Sequence, residues 1–270
     1  VVWKSQIWNT FVAIREQNMI RAEQVTKSFG EHEILKGVSF TYEAGKTNLI
    51  IGRSGAGKTV LLKILVGLQT PTTGKVMYDN VDFTNLDKTG MRNIRMKIGM
   101  LFQGSALFDS LTVEENIRFP MDMLSSFTAK EKLERVNYCL ERVGLAGNNK
   151  KYPSELSGGM QKRVGIARAI VLRPQYLFCD EPNSGLDPKT AIVIDELIRN
   201  ITLEDNITTV INTHDMNSVM EIGDNICFLH EGRLEWSGTK DDVLTSDNEN
   251  LQSFIFASPF LQRLRKAALK

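Results

Sequence analysis

Little in this chain is in excess. Cysteine is scarce: Cys139, Cys179 and Cys227 are the three among 270 residues, far apart and with no CxxC pair. That spacing argues against a disulfide framework and a zinc site, and it fits a reducing compartment. Charge of one sign is missing as well, with 33 Lys+Arg set against 32 Asp+Glu for a net +1. Such a balance offers no field to draw in nucleic acid and no polybasic surface for lipid headgroups. The longest apolar stretch, Val60 to Leu68, is interrupted by Lys63. It falls well short of the ~20 residues that span a bilayer, so no segment is expected to cross a membrane alone. No internal repeat or low-complexity tract is apparent, and no signal peptide is expected from the pattern of the first residues. What is there is ordinary for a globular protein, 42% hydrophobic and 24% charged, and long enough for one large domain or two small ones.

The two ends carry apolar stripes. Trp3, Ile7, Phe11 and Ile14 recur at roughly helical spacing, and Met19 then opens a clean strand pattern. Residues 1–18 are expected to be an extension ahead of a start at Met19; the competing expectation is a short amphipathic helix lying on a membrane or a partner. From Asn248 to Lys270 a helical pattern runs through Leu251, Phe254, Ile255 and Phe256, breaks at Ser258-Pro259, and resumes with Phe260, Leu261 and Leu264. This tail is too apolar on one side to float free and is expected to pack on its own domain or on a partner subunit.

Between the ends, strand-like and helix-like runs alternate, which predicts an α/β fold with a mixed sheet. Strands are predicted at 20–26, 34–42, 46–51, 74–78, 97–102, 175–180, 207–212 and 225–230, and helices at 57–67, 128–143, 158–172, 188–201 and 215–222. The strand signal disappears between Gln103 and Pro153. That stretch holds an amphipathic pattern with Leu133, Val136, Leu140 and Val143 on one face, and it reads as a helical subdomain (about 104–173) inserted into the core.

Gly52-Arg53-Ser54-Gly55-Ala56-Gly57-Lys58-Thr59 matches G-x-x-x-x-G-K-[ST] in full, between an apolar strand and a helical run. The glycines let the backbone wrap a phosphate chain with its N–H groups inward, and the helix start adds partial positive charge. Lys58 is placed to reach β- and γ-phosphates, and the Thr59 hydroxyl to ligate Mg²⁺. A second element, Tyr176-Leu177-Phe178-Cys179-Asp180-Glu181, is an apolar strand ending in two acids. Asp180 suits the Mg²⁺ shell, and Glu181 suits orienting and deprotonating an attacking water. A third, Leu156-Ser157-Gly158-Gly159-Met160, opens another helix with two glycines and a hydroxyl, a second anion site in one chain. Either the chain binds two anions, or this loop serves a nucleotide held by another copy.

These elements in this order resemble the nucleotide-binding domain of ATP-binding-cassette (ABC) transporters, over roughly residues 19–245. The resemblance implies a P-loop fold of ABC-ATPase type, a mixed sheet with an antiparallel part and the inserted helical subdomain. It assigns Phe29 to stacking on adenine, Gln103 to the Q-loop glutamine that reaches Mg²⁺ and the attacking water, Asp187 in Ser184-Gly185-Leu186-Asp187 to the D-loop, and His214 to the switch histidine at the γ-phosphate. Taken singly, each has a plain structural reading; His32 and His230 match nothing and keep it. The family also implies ATP with Mg²⁺, and a head-to-tail homodimer in which Ser157, Gly158 and Gly159 complete the partner's ATP site. Met160 departs from the glutamine most members carry there.

The signature ending in Met160 and followed by Gln161-Lys162-Arg163, and still more the run Met100-Leu101-Phe102-Gln103-Gly104-Ser105-Ala106-Leu107-Phe108-Asp109-Ser110-Leu111-Thr112-Val113, are similar to the ATPases of the phospholipid-transporting branch associated with MCE proteins. That resemblance implies a peripheral subunit on the cytoplasmic face of the inner membrane. It would power an integral-membrane permease beside an MCE-domain binding protein, and move phospholipid between inner and outer membranes. Leu107, Phe108, Leu111 and Val113 are expected to be either the permease contact or subdomain core. Three other readings compete: a transporter for a polar solute, a soluble ABC ATPase acting on DNA or ribosomes, and an inert regulatory cassette. The neutral charge and the presence of Glu181 and His214 speak against the last two, so no nucleic-acid partner is expected.

Overall fold

The computed structural model describes residues 18–256. The expectations for residues 1–17, and for the part of the tail past Phe256, lie outside the described residues.

Two sheets are built. The larger has six strands in the order β10-β9-β3-β8-β7-β6: β3 (Thr47–Ile51), β6 (Ile98–Leu101), β7 (Tyr176–Asp180), β8 (Thr208–Asn212), β9 (Asn225–His230) and β10 (Arg233–Gly238). All its pairings are parallel except β9 with β10. The smaller is antiparallel, order β2-β1-β4-β5, from β1 (Ile20–Phe29), β2 (His32–Tyr42), β4 (Thr73–Tyr78) and β5 (Val81–Asp82).

Pleating divides the central strands between two cores, because successive side chains point to opposite faces. Leu49, Ile51, Leu177, Cys179, Ile211, Ile226 and Phe228 face one core, shared with the helices. Ile50, Tyr176, Phe178, Val210, Cys227 and Leu229 face the other, closed by the small sheet and by α1 (Lys58–Leu65). A strand covered on both faces shows no polar alternation, which is why these runs read as continuous apolar sequence.

No strand interrupts the chain between β6 and β7. It carries α3 (Val113–Leu124), α4 (Ala129–Arg142) and α5 (Gly158–Ile170), preceded by α2 (Lys88–Arg95) and followed by α6 (Pro188–Glu204), α7 (Met216–Ile222), α8 (Lys240–Thr245) and α9 (Glu249–Ile255). On α4, Val136 and Leu140 are buried, as is Val143 at its cap, but Leu133 is 43% exposed and the fully buried Cys139 completes the face instead. Of the four residues weighed as contact or core, Val113 is fully buried and Leu107 packs on the core, while Leu111 is half-buried and Phe108 exposed.

Several elements escape sequence pattern. Helix α3 contains Pro120 yet forms because Thr112 and Glu115 make a complete capping box. Helix α2 is largely polar and buries only Ile94, so it offers few apolar positions to mark it in the sequence. Strand β10 is an edge strand that buries none of its residues fully. Strand β1 runs on to Phe29 because its last residues pair with the start of β2 across a tight hairpin.

Candidate functional site

The P-loop joins β3 to α1 at the carboxyl edge of the parallel sheet, where open α/β sheets take their ligands. Gly52 stands at φ 148, and a Cβ there would lie 2.3 Å from the Leu229 carbonyl. Only glycine lets the loop turn this close to the neighbouring strand. Ala56 is buried beneath the loop, and Arg53, Ser54 and Gly55 are exposed on its crest. The Lys58 ammonium donates to the carbonyls of Gly52 at 2.9 Å and Arg53 at 3.2 Å. Burial lowers its pKa, opposed by the charges of Glu181 and Asp180. A cation held this way by carbonyls and two remote carboxylates is ready for an anionic partner.

Around the loop lies a cleft of about 830 Å³, lined by Phe29, Ile34, Gly52 to Gly55, Gly57 to Val60, Gln103, Glu181, His214 and Phe254. Phe29 is 47% exposed, with the Lys27 ammonium 5.1 Å from its ring centroid. Glu181 follows β7 at φ 50, a left-handed conformation uncommon for a non-glycine residue and frequent at functional sites. Its backbone N–H donates to the Asn212 carbonyl at 2.8 Å, tying the ends of β7 and β8. Its Oε2 lies 2.7 Å from His214 Nδ1.

Asn212 is a residue the sequence reading passed over. Fully buried, it donates from Nδ2 to Asp180 Oδ1 at 2.6 Å and to Thr59 Oγ1 at 3.3 Å, and its Oδ1 has no partner. It therefore gathers two of the three proposed Mg²⁺ ligands. Lys162, on the second turn of α5, was also missed. Its ammonium donates to the Gln103 carbonyl and, at 3.5 Å, to the Glu181 carbonyl. Arg168 on the same helix donates to the carbonyls of Ser105 at 2.6 Å and Ala106 at 2.7 Å. The loop after β6 is thereby gripped from α5. Gln103 itself is exposed and donates to Ser184 Oγ at 3.4 Å. Phe254 enters the cleft from α9, stacked on Phe228 at 5.5 Å. Its helical spacing was legible, but its destination was not.

Ser157, Gly158, Gly159 and Asp187 do not line this cleft. Ser157 Oγ accepts from the Met160 N–H at 3.3 Å and caps α5. A Cβ on Gly159 would lie 2.5 Å from Thr190 Cγ2, so the start of α5 packs against the start of α6. Asp187, expected by resemblance to bind nucleotide, caps α6 through Thr190. Ser157, Gly158 and Asp187 are exposed outside the cleft that holds the chain's own P-loop, while Gly159 is buried between the two helix starts.

Fold and cleft together define a P-loop nucleotide-binding protein with a carboxylate and a histidine set beside the phosphate loop. Comparison with known proteins gives the family. The sequence pattern of the ABC transporter family matches residues 35–184. The probable ribonucleotide transport ATP-binding protein mkl of Mycobacterium tuberculosis is 39% identical over 239 residues, 87% of this chain and 66% of the relative; the chain thus spans just under two thirds of that protein. The methionine import ATP-binding protein MetN 2 of Rhodococcus jostii is 40% identical over 231 residues, 84% of this chain and 68% of the relative. The chloroplastic protein trigalactosyldiacylglycerol 3 of Arabidopsis thaliana is 37% identical over 260 residues, 89% of this chain and 74% of the relative. Among solved structures, the cassette MJ0796 bound to ADP and Pi, a dimeric post-hydrolysis state, aligns with TM-score 0.74 and 34% identity over 82% of this chain and 98% of that one. CbiO1 of Clostridium perfringens, part of the cbiONQ transporter complex, aligns with TM-score 0.80 and 27% identity over 94% of this chain and 100% of that one. The chain belongs to the ABC transporter family, and its fold is that of the family's ATPase cassette.

Proposed function

We propose that this chain is the ATP-binding and ATP-hydrolysing subunit of a membrane transporter, with residues 19–245 as the cassette and 104–173 as its helical subdomain. The observation that carries this is the convergence of Lys58, Thr59, Gln103, Glu181 and His214 on one cleft. In this reading the P-loop amides and Lys58 bind the β- and γ-phosphates, and Phe29 stacks on the base. Glu181 takes the proton of the attacking water. His214 bonds Glu181 before nucleotide arrives and contacts the γ-phosphate afterwards. The donors at the phosphate end, the Thr59 hydroxyl, the Asp180 carboxylate and the Gln103 amide oxygen, are all hard oxygens and fit Mg²⁺. When bound, that ion neutralises charge developing on the phosphates.

Ser157, Gly158, Gly159 and Asp187 serve the nucleotide of a second copy, which explains an exposed helix start outside the chain's own cleft. ATP then joins two copies head to tail and hydrolysis parts them. The dimeric cassette of known structure supports this arrangement. Among the described residues no helix is long and apolar enough to cross a membrane. The work is therefore assigned to a separate permease, with this chain peripheral on the cytoplasmic face of the inner membrane. The permease's cytoplasmic helix is assigned to an apolar groove of about 420 Å³ lined by Met100, Phe102, Phe108, Phe119 and Leu124. Phe102, Phe108 and Phe119 are each about two-fifths exposed there.

For cargo we propose phospholipid, with an MCE-domain protein as a further partner. The support is the run from Phe102 to Val113 and a relative named for trigalactosyldiacylglycerol, a glycolipid. The relatives named for methionine import and ribonucleotide transport favour a polar solute as the second reading. Affinity capture of the chain from native membranes separates the two. A permease with an MCE-domain subunit supports lipid; a permease with a soluble solute-binding protein replaces it.

A further inference from the structure

A closed polar cluster lies behind the segments that deliver Glu181 and His214. Asp195 in the middle of α6 is 4% exposed, Asn183 in the loop after β7 is 9% exposed, and Ser218 on the first turn of α7 is 1% exposed. Asn183 Nδ2 donates to Asp195 Oδ1 at 2.9 Å and to Ser218 Oγ at 3.0 Å. Ser218 Oγ donates to Asp195 Oδ2 at 2.7 Å. Both carboxylate oxygens, both amide protons and the hydroxyl are used, and only the buried Asn183 Oδ1 lacks a partner among the described residues.

A charge here does not serve stability. Burial pushes the Asp195 carboxyl up to about 6, against the two hydrogen bonds that pull it down, and Asp215 and Glu221 of the α7 segment add to the rise. On its own helix, Glu196 and Arg199 line the same small cavity, but the Arg199 guanidinium donates to the Glu221 carbonyl. On β7, the Cys179 thiol is held neutral by burial. Neither bond to Asp195 comes from a cation. An ionised group kept at such a site costs folding free energy and calls for another reason to be there.

Geometry supplies the reason. The loop that starts at Glu181 closes through Ser184 N–H to the Glu181 carbonyl at 3.1 Å and Leu186 N–H to the Asn183 carbonyl at 3.2 Å. Asn183 lies inside the first turn and accepts in the second. Ser218 stands one helical turn beyond His214. We propose that Asp195 is a positioning residue for ATP hydrolysis: its carboxylate clasps Asn183 to Ser218, locking the loop that carries Glu181 to the helix that follows His214. The inference rests on the hydrolytic reading of the cleft. Protonating Asp195 removes one acceptor from the clasp, so hydrolysis falls on the acid side as the carboxyl titrates.

The test uses the full chain isolated with its membrane partner and follows hydrolysis against ATP concentration and pH. Asp195→Asn keeps the shape and removes the charge. It is expected to lower kcat about tenfold with KM for ATP changed less than about twofold, since a displaced base slows chemistry and not binding. It is expected to flatten the acid limb near pH 6 and to leave the melting temperature equal or higher. Ser218→Ala, which cuts one arm of the clasp, is expected to lower kcat in the same sense. Wild-type kcat and acid limb in Asp195→Asn overturn the proposal, as does a joint fall of kcat, ATP affinity and melting temperature. Glu181→Gln is the reference. If it is inactive while Asp195→Asn is unaltered, the clasp alone fails; if it hydrolyses normally, the cleft reading fails and the clasp with it.

Discussion

At the scale of single residues, the polar groups of the cleft are engaged with one another and with the loop backbone. Lys58 rests on two loop carbonyls, and Glu181 on His214. On the proposed reading, each pairing is one that an incoming nucleotide would replace. Lys58→Ala is expected to weaken ATP binding at least about tenfold, the worth of a charge-assisted contact; titration with a fluorescent ATP analogue reads it directly. Glu181→Gln keeps the hydrogen-bonding shape without the base. Hydrolysis is expected to fall by about two orders of magnitude or more while ATP still binds, as for loss of a general base; phosphate release assays and nucleotide retention measure the two halves. Asp195 makes a third prediction, on stability. Its folded pKa of about 6 exceeds the ordinary 3.8, so the folded chain holds the proton more tightly. Its contribution is most favourable below the unfolded value and is lost as pH rises through the folded one. The loss is on the order of 3 kcal/mol. Urea unfolding across this range is expected to be flatter for Asp195→Asn than for the parent chain.

At the scale of elements, the legible parts were those whose own residues carry the signal. The P-loop, the acid-ended strand and the start of α5 are local instructions: glycines for a turn, a serine for a cap, apolar runs for strands buried on both faces. Helix α3 was illegible because Pro120 argues against it and its cap lies ahead of the pattern. Asn116 on that helix, fully buried, bonds the backbone of Phe108, Leu111 and Thr112 and sets the loop after Gln103. Read in sequence, it is only an asparagine. The start of α5 is where the pairing of copies is tested. Ser157 caps its own helix and lies outside the chain's own cleft. Ser157→Arg is therefore expected to leave ATP binding by one copy measurable, to cost about 1 kcal/mol in helix capping, and to abolish ATP-driven pairing. Light scattering with ATP in a Glu181→Gln background measures the pairing.

At the scale of the whole molecule, one loop joins two surfaces. Gln103 lines the nucleotide cleft, and Phe108, five residues on, lines the apolar groove. Between them, Arg168 and Lys162 of α5 hold the backbone. A nucleotide that shifts α5 thus acts on the segment assigned to the permease. Phe108→Asp is expected to cut permease recovery in affinity capture at least about tenfold, since a charge would be buried in an apolar contact; full recovery removes this groove from the interface.

The sequence by itself determined the chemistry available: a loop that wraps phosphate, a strand that ends in acids, and no long apolar span. It did so because backbone conformation at glycines and the burial of strands are dictated by nearest neighbours. Only the tertiary structure decided which of those groups meet. It brought Glu181 to His214 across 33 residues of chain by pairing β7 with β8, and gathered Asp180 and Thr59 on Asn212. It also turned Ser157 and Asp187 away from the chain's own cleft. Contacts between residues distant in sequence depend on strand order and register, which no local pattern encodes.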